Sequence, residues 1–174
     1  MRRNVTPDKV HAFMETLASK ARSQGSVYFT GGATALLFGI REQTIDLDIK
    51  FEPEPQGVFE ALSEIKNSLD VNVELASPSD FIPVASDWKE KSIFIVKFGL
   101  LAFYHFDLRY QALAKIERGH SQDLHDARAF LEFGKIDNAE IWSCFSRLKP
   151  ELIRFPAIDE ASFAHKVEAF LQTK

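Results

Sequence analysis

Asp46 and Asp48 stand one residue apart in Ile45-Asp46-Leu47-Asp48-Ile49, where apolar and acidic residues alternate strictly. Side chains at i and i+2 of a strand share a face, so the two carboxylates project together while Ile45, Leu47 and Ile49 point the other way. Two carboxylates on one face repel unless water or a cation lies between them. Their oxygens are hard ligands that suit Mg2+ or Mn2+. Mg2+ commonly takes one or two carboxylates and keeps water and substrate phosphates as its other ligands. Upstream, Thr30-Gly31-Gly32-Ala33-Thr34 supplies backbone N–H groups at a helix start, a ready phosphate site, with the hydroxyls of Thr30 and Thr34 beside it. Arg41 lies between these two features, near enough to hold an anionic oxygen, or to pair with Glu42 or one of the aspartates. Glu74, in the alternating segment Val71–Leu75, is a third carboxylate if the two strands pair in register. Cations held by such acids can activate an attacking hydroxyl and stabilise a leaving pyrophosphate in an in-line displacement.

Each feature has an ordinary reading of its own. An Asp-x-Asp in a strand is often a solvated edge, a Gly-Gly after a strand is often only a turn, and Glu74 alone reads as a solvated strand residue. Their order and spacing together raise the reading above that background.

The elements that must position these residues follow from periodicity. Val27-Tyr28-Phe29 reads as a strand, broken by Gly31-Gly32, and Ala33 to Phe38 as a short apolar helix ending at Gly39. Thr6-Pro7 has the form of an N-cap with proline at N1. Val10, Phe13, Met14, Leu17 and Ala21 then keep helical spacing up to Gly25. Val58, Leu62, Ile65 and Leu69 form an apolar helical stripe. Lys91 to Phe98 and Leu100 to Phe106 are two strand-like runs about Gly99, a hairpin or bulged pair.

From Leu108 the chain turns helical. The expected helices run from Tyr110 to Arg118, from a Ser121 cap to Gly134 with Leu124, Ala127 and Leu131 inward, from an Asp137/Glu140 capping box to about Leu148, and from about Asp159 onward. The expected fold class is therefore α+β, a mixed sheet flanked by helices and followed by a C-terminal helical region packed on it. The boundary falls near Asp107, giving 1–107 as core and 108–174 as the helical part.

Bulk properties narrow the classes. The 174 residues are 45% hydrophobic with sixteen Phe, which suits one domain with a real core or a small domain with an appendage. The net charge of -4 argues against non-specific nucleic-acid binding, which runs on excess Lys and Arg. A single cysteine, Cys144, excludes an internal disulfide and a Cys-built zinc site and reads as core. The five histidines show no ligand spacing, and Trp88 and Trp142 read as core or interface. No apolar run reaches the ~20 residues of a membrane span. Polar residues follow the basic Met1-Arg2-Arg3, so a cytoplasmic soluble protein is expected.

The run Thr30-Gly31-Gly32, Leu36, Gly39, Arg41 and Thr44-Ile45-Asp46-Leu47-Asp48-Ile49 resembles the DNA polymerase β-like nucleotidyltransferase superfamily, and within it the minimal bacterial enzymes of the AbiEii toxin type. Ala114-Lys115-Ile116-Glu117-Arg118 and Gln122-Asp123-Leu124-His125-Asp126 resemble the Lys-containing helix and the Arg/Lys-x-Asp-x-x-Asp helix of those proteins, which extends the likeness to about Phe133. The chain departs from that pattern at Gly32, where the superfamily usually has serine, and at Gln122, where the helix usually carries arginine.

The resemblance implies transfer of NMP from an NTP, with Mg2+ or Mn2+, to a hydroxyl on an RNA 3' end, a protein side chain or a small molecule. It also implies a toxin-antitoxin or defence role with tRNA or a cognate partner protein. It carries triphosphate binding onto Gly31 and Gly32, metal binding onto Asp46 and Asp48, and the third acid onto Glu74, for which Asp80 and Asp107 are alternatives. Lys115 and Arg118 share a helix face and could neutralise phosphate, or Arg118 could pair with Asp123 across the Gly119 turn. For Asp123 and Asp126 a solvated or salt-bridged role is expected. Two other readings compete: a non-catalytic module of the same fold that binds nucleotide or a partner, and a metal-dependent phosphohydrolase.

Overall fold

The structure is a computed structural model that describes residues 4–133 and 135–173. The basic start at Met1-Arg2-Arg3 and the helix stop at Gly134 lie outside the described residues. The chain forms two compact units. One runs up to Ser77 and resumes over Ser92–Phe106; the other comprises Pro78–Lys91 and the chain from Asp107 onward. The second includes the chain from Asp107 onward. It also takes in Pro78–Lys91, which the sequence reading assigns to the first region.

In the first unit the order is α1 (Pro7–Lys20), β1 (Gly25–Thr30), α2 (Gly31–Leu37), β2 (Asp46–Phe51), α3 (Val58–Ser68), β3 (Asn72–Leu75), β4 (Ile93–Phe98) and β5 (Leu101–His105). The fold is α+β, and its sheet is mixed, in the order β3-β2-β1-β5-β4. β1 runs antiparallel to β2 and parallel to β5, β2 runs parallel to β3, and β4 and β5 form an antiparallel hairpin. That hairpin also carries a bulge between Phe94 and Val96, so it is both of the forms expected around Gly99.

Strand alternation decides which side chains enter the core. Val27, Phe29, Leu47, Ile49, Val73, Leu101 and Phe103 turn inward against Val10, Phe13, Leu17, Val58 and Ile65 of α1 and α3. Burial of each large side chain contributes about 1.5–3 kcal/mol. The intervening residues, Tyr28, Thr30, Asp46, Asp48, Lys50, Asn72, Glu74 and Tyr104, share the other face by the same alternation.

Three local expectations differ from what is observed. α1 ends at Lys20, and Gly25 opens β1 instead of stopping a helix. The glycine is needed there because a Cβ would overlap the Pro55 ring and lie 2.8 Å from the Pro53 carbonyl oxygen. Ile45 is 71% exposed rather than inward, because the strand begins one residue later, at Asp46. Thr6 occupies the N-cap position of α1, but its side chain makes no capping bond.

The second unit contains α4 (Leu108–Arg118), α5 (Ser121–Glu132), α6 (Asn138–Leu148) and α7 (Glu160–Gln172). α4 lies against α5, α6 and α7, which explains why eight of its eleven residues are buried. Asp107 caps α4 by accepting the Arg109 N–H at 3.0 Å. The Asp137/Glu140 capping box of α6 is complete, and Asp159 accepts the Ser162 N–H ahead of α7. His120, not Ser121, is the N-cap of α5. The buried side of α5 also differs from the apolar stripe expected. Asp123, Asp126, Ala127, Ala129 and Phe130 are buried, while Leu124 and Leu131 are half-buried. No helix among the described residues is long and apolar enough to cross a membrane.

Candidate active site

The site grows from the turn that ends β1. In the antiparallel β1–β2 pair Thr30 is the register partner of Asp48, so the chain leaves β1 beside that aspartate. The next residue, Gly31, has a φ of +59°, and a Cβ on it would lie 2.5 Å from Oδ2 of Asp48. Glycine meets both demands: it adopts the left-handed backbone without strain and leaves room for the carboxylate. Gly32 is constrained differently. A Cβ there would overlap the Thr44 hydroxyl and lie 3.3 Å from Nη1 of Arg41. The glycine pair is thus enclosed by Asp48 on one side and by Thr44 and Arg41 on the other. α2 spans only Gly31–Leu37, so the turn itself, more than a helix dipole, is what a phosphate would meet.

β3 completes the acidic face. The parallel register sets Asp46 across from Asn72 and Asp48 across from Glu74. Partners in that register project to the same side, so Glu74 faces the same way as both aspartates. Asp46 and Asp48 are half-buried and Glu74 is exposed. Asn72 links the rows: its Nδ2 donates to Asp46 Oδ1 at 2.6 Å and to Glu74 Oε1 at 3.2 Å.

Among the described residues there is no group of three or more His, Cys, Asp or Glu side chains that could hold a metal ion. The donor set nevertheless suits a cation that takes one or two carboxylates and fills its shell with water and phosphate. It does not suit an all-protein cage.

The chain matches no family model, no curated protein and no solved structure. The functional reading therefore rests on the residues themselves.

The predicted hydroxyls serve the fold. Thr34 is fully buried and donates to the Phe29 carbonyl at 3.1 Å, with Nδ1 of His105 3.3 Å from its oxygen. The His105 ring stacks on Phe38 at 4.3 Å. Thr30 is buried too and donates to the Ala76 carbonyl at 3.2 Å, which ties β1 to the end of β3. On the acidic face Tyr28 stacks on Tyr104, and burial pushes its phenol pKa up.

Lys115, Asp80 and Asp107 belong to the second unit. Lys115 is 3% exposed and donates to Asp123 at 3.2 Å and Asp126 at 2.7 Å. Arg118 also pairs with Asp123, at 2.6 Å, and Gln122 donates to Asp126. The role found for these two acids is salt-bridged. Asp107 is buried and grips the Arg109 guanidinium with both oxygens, while Asp80 is exposed at the end of a 3-10 turn. Of the three candidates for the third acid, Glu74 is the one carried by a strand of this sheet, in register with Asp48.

Two residues of this site carry no role in the sequence reading. Thr44 forms a bridge with Val5, and its hydroxyl donates to the Asp46 carbonyl at 3.3 Å, so it sets the approach to β2. Asn72 was legible in principle, since it precedes Glu74 by two residues in an alternating strand and so shares its face.

Proposed function

We propose that the protein is a metal-dependent nucleotidyltransferase that moves NMP from an NTP to a hydroxyl acceptor. The observation that carries this reading is the register of Asp48 with both Thr30 and Glu74, which gathers the glycine turn and three carboxylates on one sheet face. The turn's N–H groups and the Arg41 guanidinium would hold the triphosphate, and Asp46 and Asp48 would hold Mg2+ or Mn2+. The bound cation would supply charge neutralisation to the phosphates and leaving pyrophosphate. Glu74 would take the proton of the acceptor hydroxyl as its oxygen forms a bond to the α-phosphorus and the bond to pyrophosphate breaks. Dependence on NTP fits a cytoplasmic setting. The likeness to AbiEii-type proteins favours a toxin-antitoxin or defence role, with tRNA or a partner protein as acceptor.

The test is incubation of the full chain with labelled NTPs, Mg2+ or Mn2+, and total RNA or lysate. Label transfer by wild type that is lost in Asp46→Ala and Asp48→Ala supports the reading. No transfer, or equal transfer by the variants, overturns it.

A second reading, a non-catalytic module that binds nucleotide or a partner, is favoured by one observation: Asn72 already occupies oxygens of Asp46 and Glu74. It predicts calorimetric binding of NTP with Mg2+ and no turnover.

A further inference from the structure

α4 lies against both α5 and α7, and a cavity of about 450 Å3 opens where these three helices meet. Its lining belongs wholly to the second unit and includes none of the sheet. The size falls within the range of about 300–1,000 Å3 typical of small-molecule sites, which combine an apolar wall with a few placed polar groups. Ile116 of α4, Leu124 of α5, and Ala169 and Phe170 of α7 supply the apolar wall. Leu124 and Arg128 stand four residues apart on α5, as Lys166 and Phe170 do on α7, so each helix turns an apolar and a basic residue to the same side. The described residues that line the cavity include Arg128, His165 and Lys166, and no Asp or Glu.

The two permanent cations are not equivalent. Lys166 donates to the Glu117 carbonyl and lies 3.8 Å from the Glu117 carboxylate, so its charge is answered at the C-terminal end of α4. Arg128 donates from Nη2 to the Phe170 carbonyl and lies 4.0 Å from the centroid of the Phe170 ring. Neither contact neutralises it, and among the described residues no carboxylate pairs with it. A guanidinium carries five N–H donors in a fork that fits both oxygens of a carboxylate. Packing on Phe170 holds that fork in place, so less entropy is lost when an anion arrives. The same contact covers a face of the Phe170 ring, and the rest of the apolar wall is aliphatic. An aliphatic tail suits that wall better than a ring, which gains most from a free aromatic partner. We propose that this cavity binds an aliphatic monocarboxylate, its head on the Arg128 guanidinium and its tail against Ile116, Leu124 and Ala169. The site is independent of the proposed nucleotidyl transfer, whose residues lie on the sheet of the first unit.

The test needs no turnover. Octanoate is titrated into the full chain by calorimetry, with octanol and octylammonium as controls that keep the tail and change the charge of the head. Wild type is expected to bind one octanoate per chain, at least about tenfold more tightly than either control, since hydrogen bonds to a charged group are worth that much. Arg128→Gln should remove the preference and bring octanoate to the level of octanol. Ala169→Trp, at an exposed lining position, should fill the cavity and abolish octanoate binding. Circular dichroism checks that each variant is folded; if Arg128→Gln does not fold, the three head groups and Ala169→Trp decide. The proposal is overturned by the absence of saturable octanoate binding, or by octanol binding as tightly as octanoate in wild type. It is equally overturned if a folded Arg128→Gln keeps the carboxylate preference, or if octanoate binds Ala169→Trp as it binds wild type.

Discussion

Glu74 stands opposite Asp48 across the parallel β2–β3 pair, on the sheet face that carries both aspartates. A carboxylate placed there can act as base without being a metal ligand, and the two roles separate experimentally. Glu74→Gln is expected to lower the rate of label transfer by about 10²–10⁴-fold, the usual range for loss of a general base. NTP affinity measured by calorimetry should be little changed. Asp80→Asn should transfer at the wild-type rate. Equal losses in the two variants would remove Glu74 from the mechanism.

The glycine turn makes a second prediction. Gly31→Ala must adopt a positive φ and push against the Asp48 carboxylate, so a loss of about 1–3 kcal/mol in urea unfolding is expected. Gly32→Ala meets the Thr44 hydroxyl instead. Adding Thr44→Ala removes the clashing oxygen, and the double variant should be more stable than the sum of the singles by about 0.5–3 kcal/mol. Simple additivity would show that the hydroxyl is not what Gly32 accommodates.

Much of this was legible in the sequence because it is periodic. Alternation in Leu47–Ile49 and Val71–Glu74 names the inner and outer faces, and the Asp137/Glu140 spacing names the start of α6. Strand register is not periodic information. Nothing in either segment alone states that Asp48 meets Glu74 and Asp46 meets Asn72; the pairing sets that. Gly25 misled for a related reason, since its small size answers Pro53 and Pro55, distant in sequence. The inward stripe of α5 misled because Asp123 and Asp126 turn inward only once their partner, Lys115, is brought alongside.

That partner gives a third prediction. Lys115 is buried between two buried carboxylates, and removing one member of such a group strands the others. Lys115→Met should destabilise the protein by about 3–5 kcal/mol in urea unfolding. Asp123 keeps Arg118 as a partner, so the stranded charge is chiefly Asp126, which is fully buried. Asp126→Asn in the Lys115→Met background should therefore recover part of the loss, whereas Asp123→Asn should recover less. Recovery of stability without recovery of transfer would mark Lys115 as also serving the nucleotide. Full recovery of both would leave it a structural cation.

Tyr110 gives a prediction in pH. Its side chain is fully buried in the second unit, and its phenol oxygen accepts the Ala85 N–H at 3.2 Å. Burial pushes the phenol from 10.0 up to about 12, against a smaller opposing effect of that hydrogen bond. A folded-state value raised above the unfolded one means that the neutral form is favoured by folding. The associated stability is whole below pH 10 and is lost as pH rises from there through about 12. The rise from 10.0 to about 12 corresponds to about 2–3 kcal/mol. Tyr110→Phe has no phenol to ionise, so its urea midpoint should fall less than that of wild type between pH 10 and 12. At pH 8 wild type is the more stable of the two, because the variant leaves the Ala85 N–H without its acceptor, a loss of about 1–3 kcal/mol. The two midpoint curves should therefore converge as the pH is raised. Parallel curves across that range would show that Tyr110 ionises as easily in the folded chain as in the unfolded one.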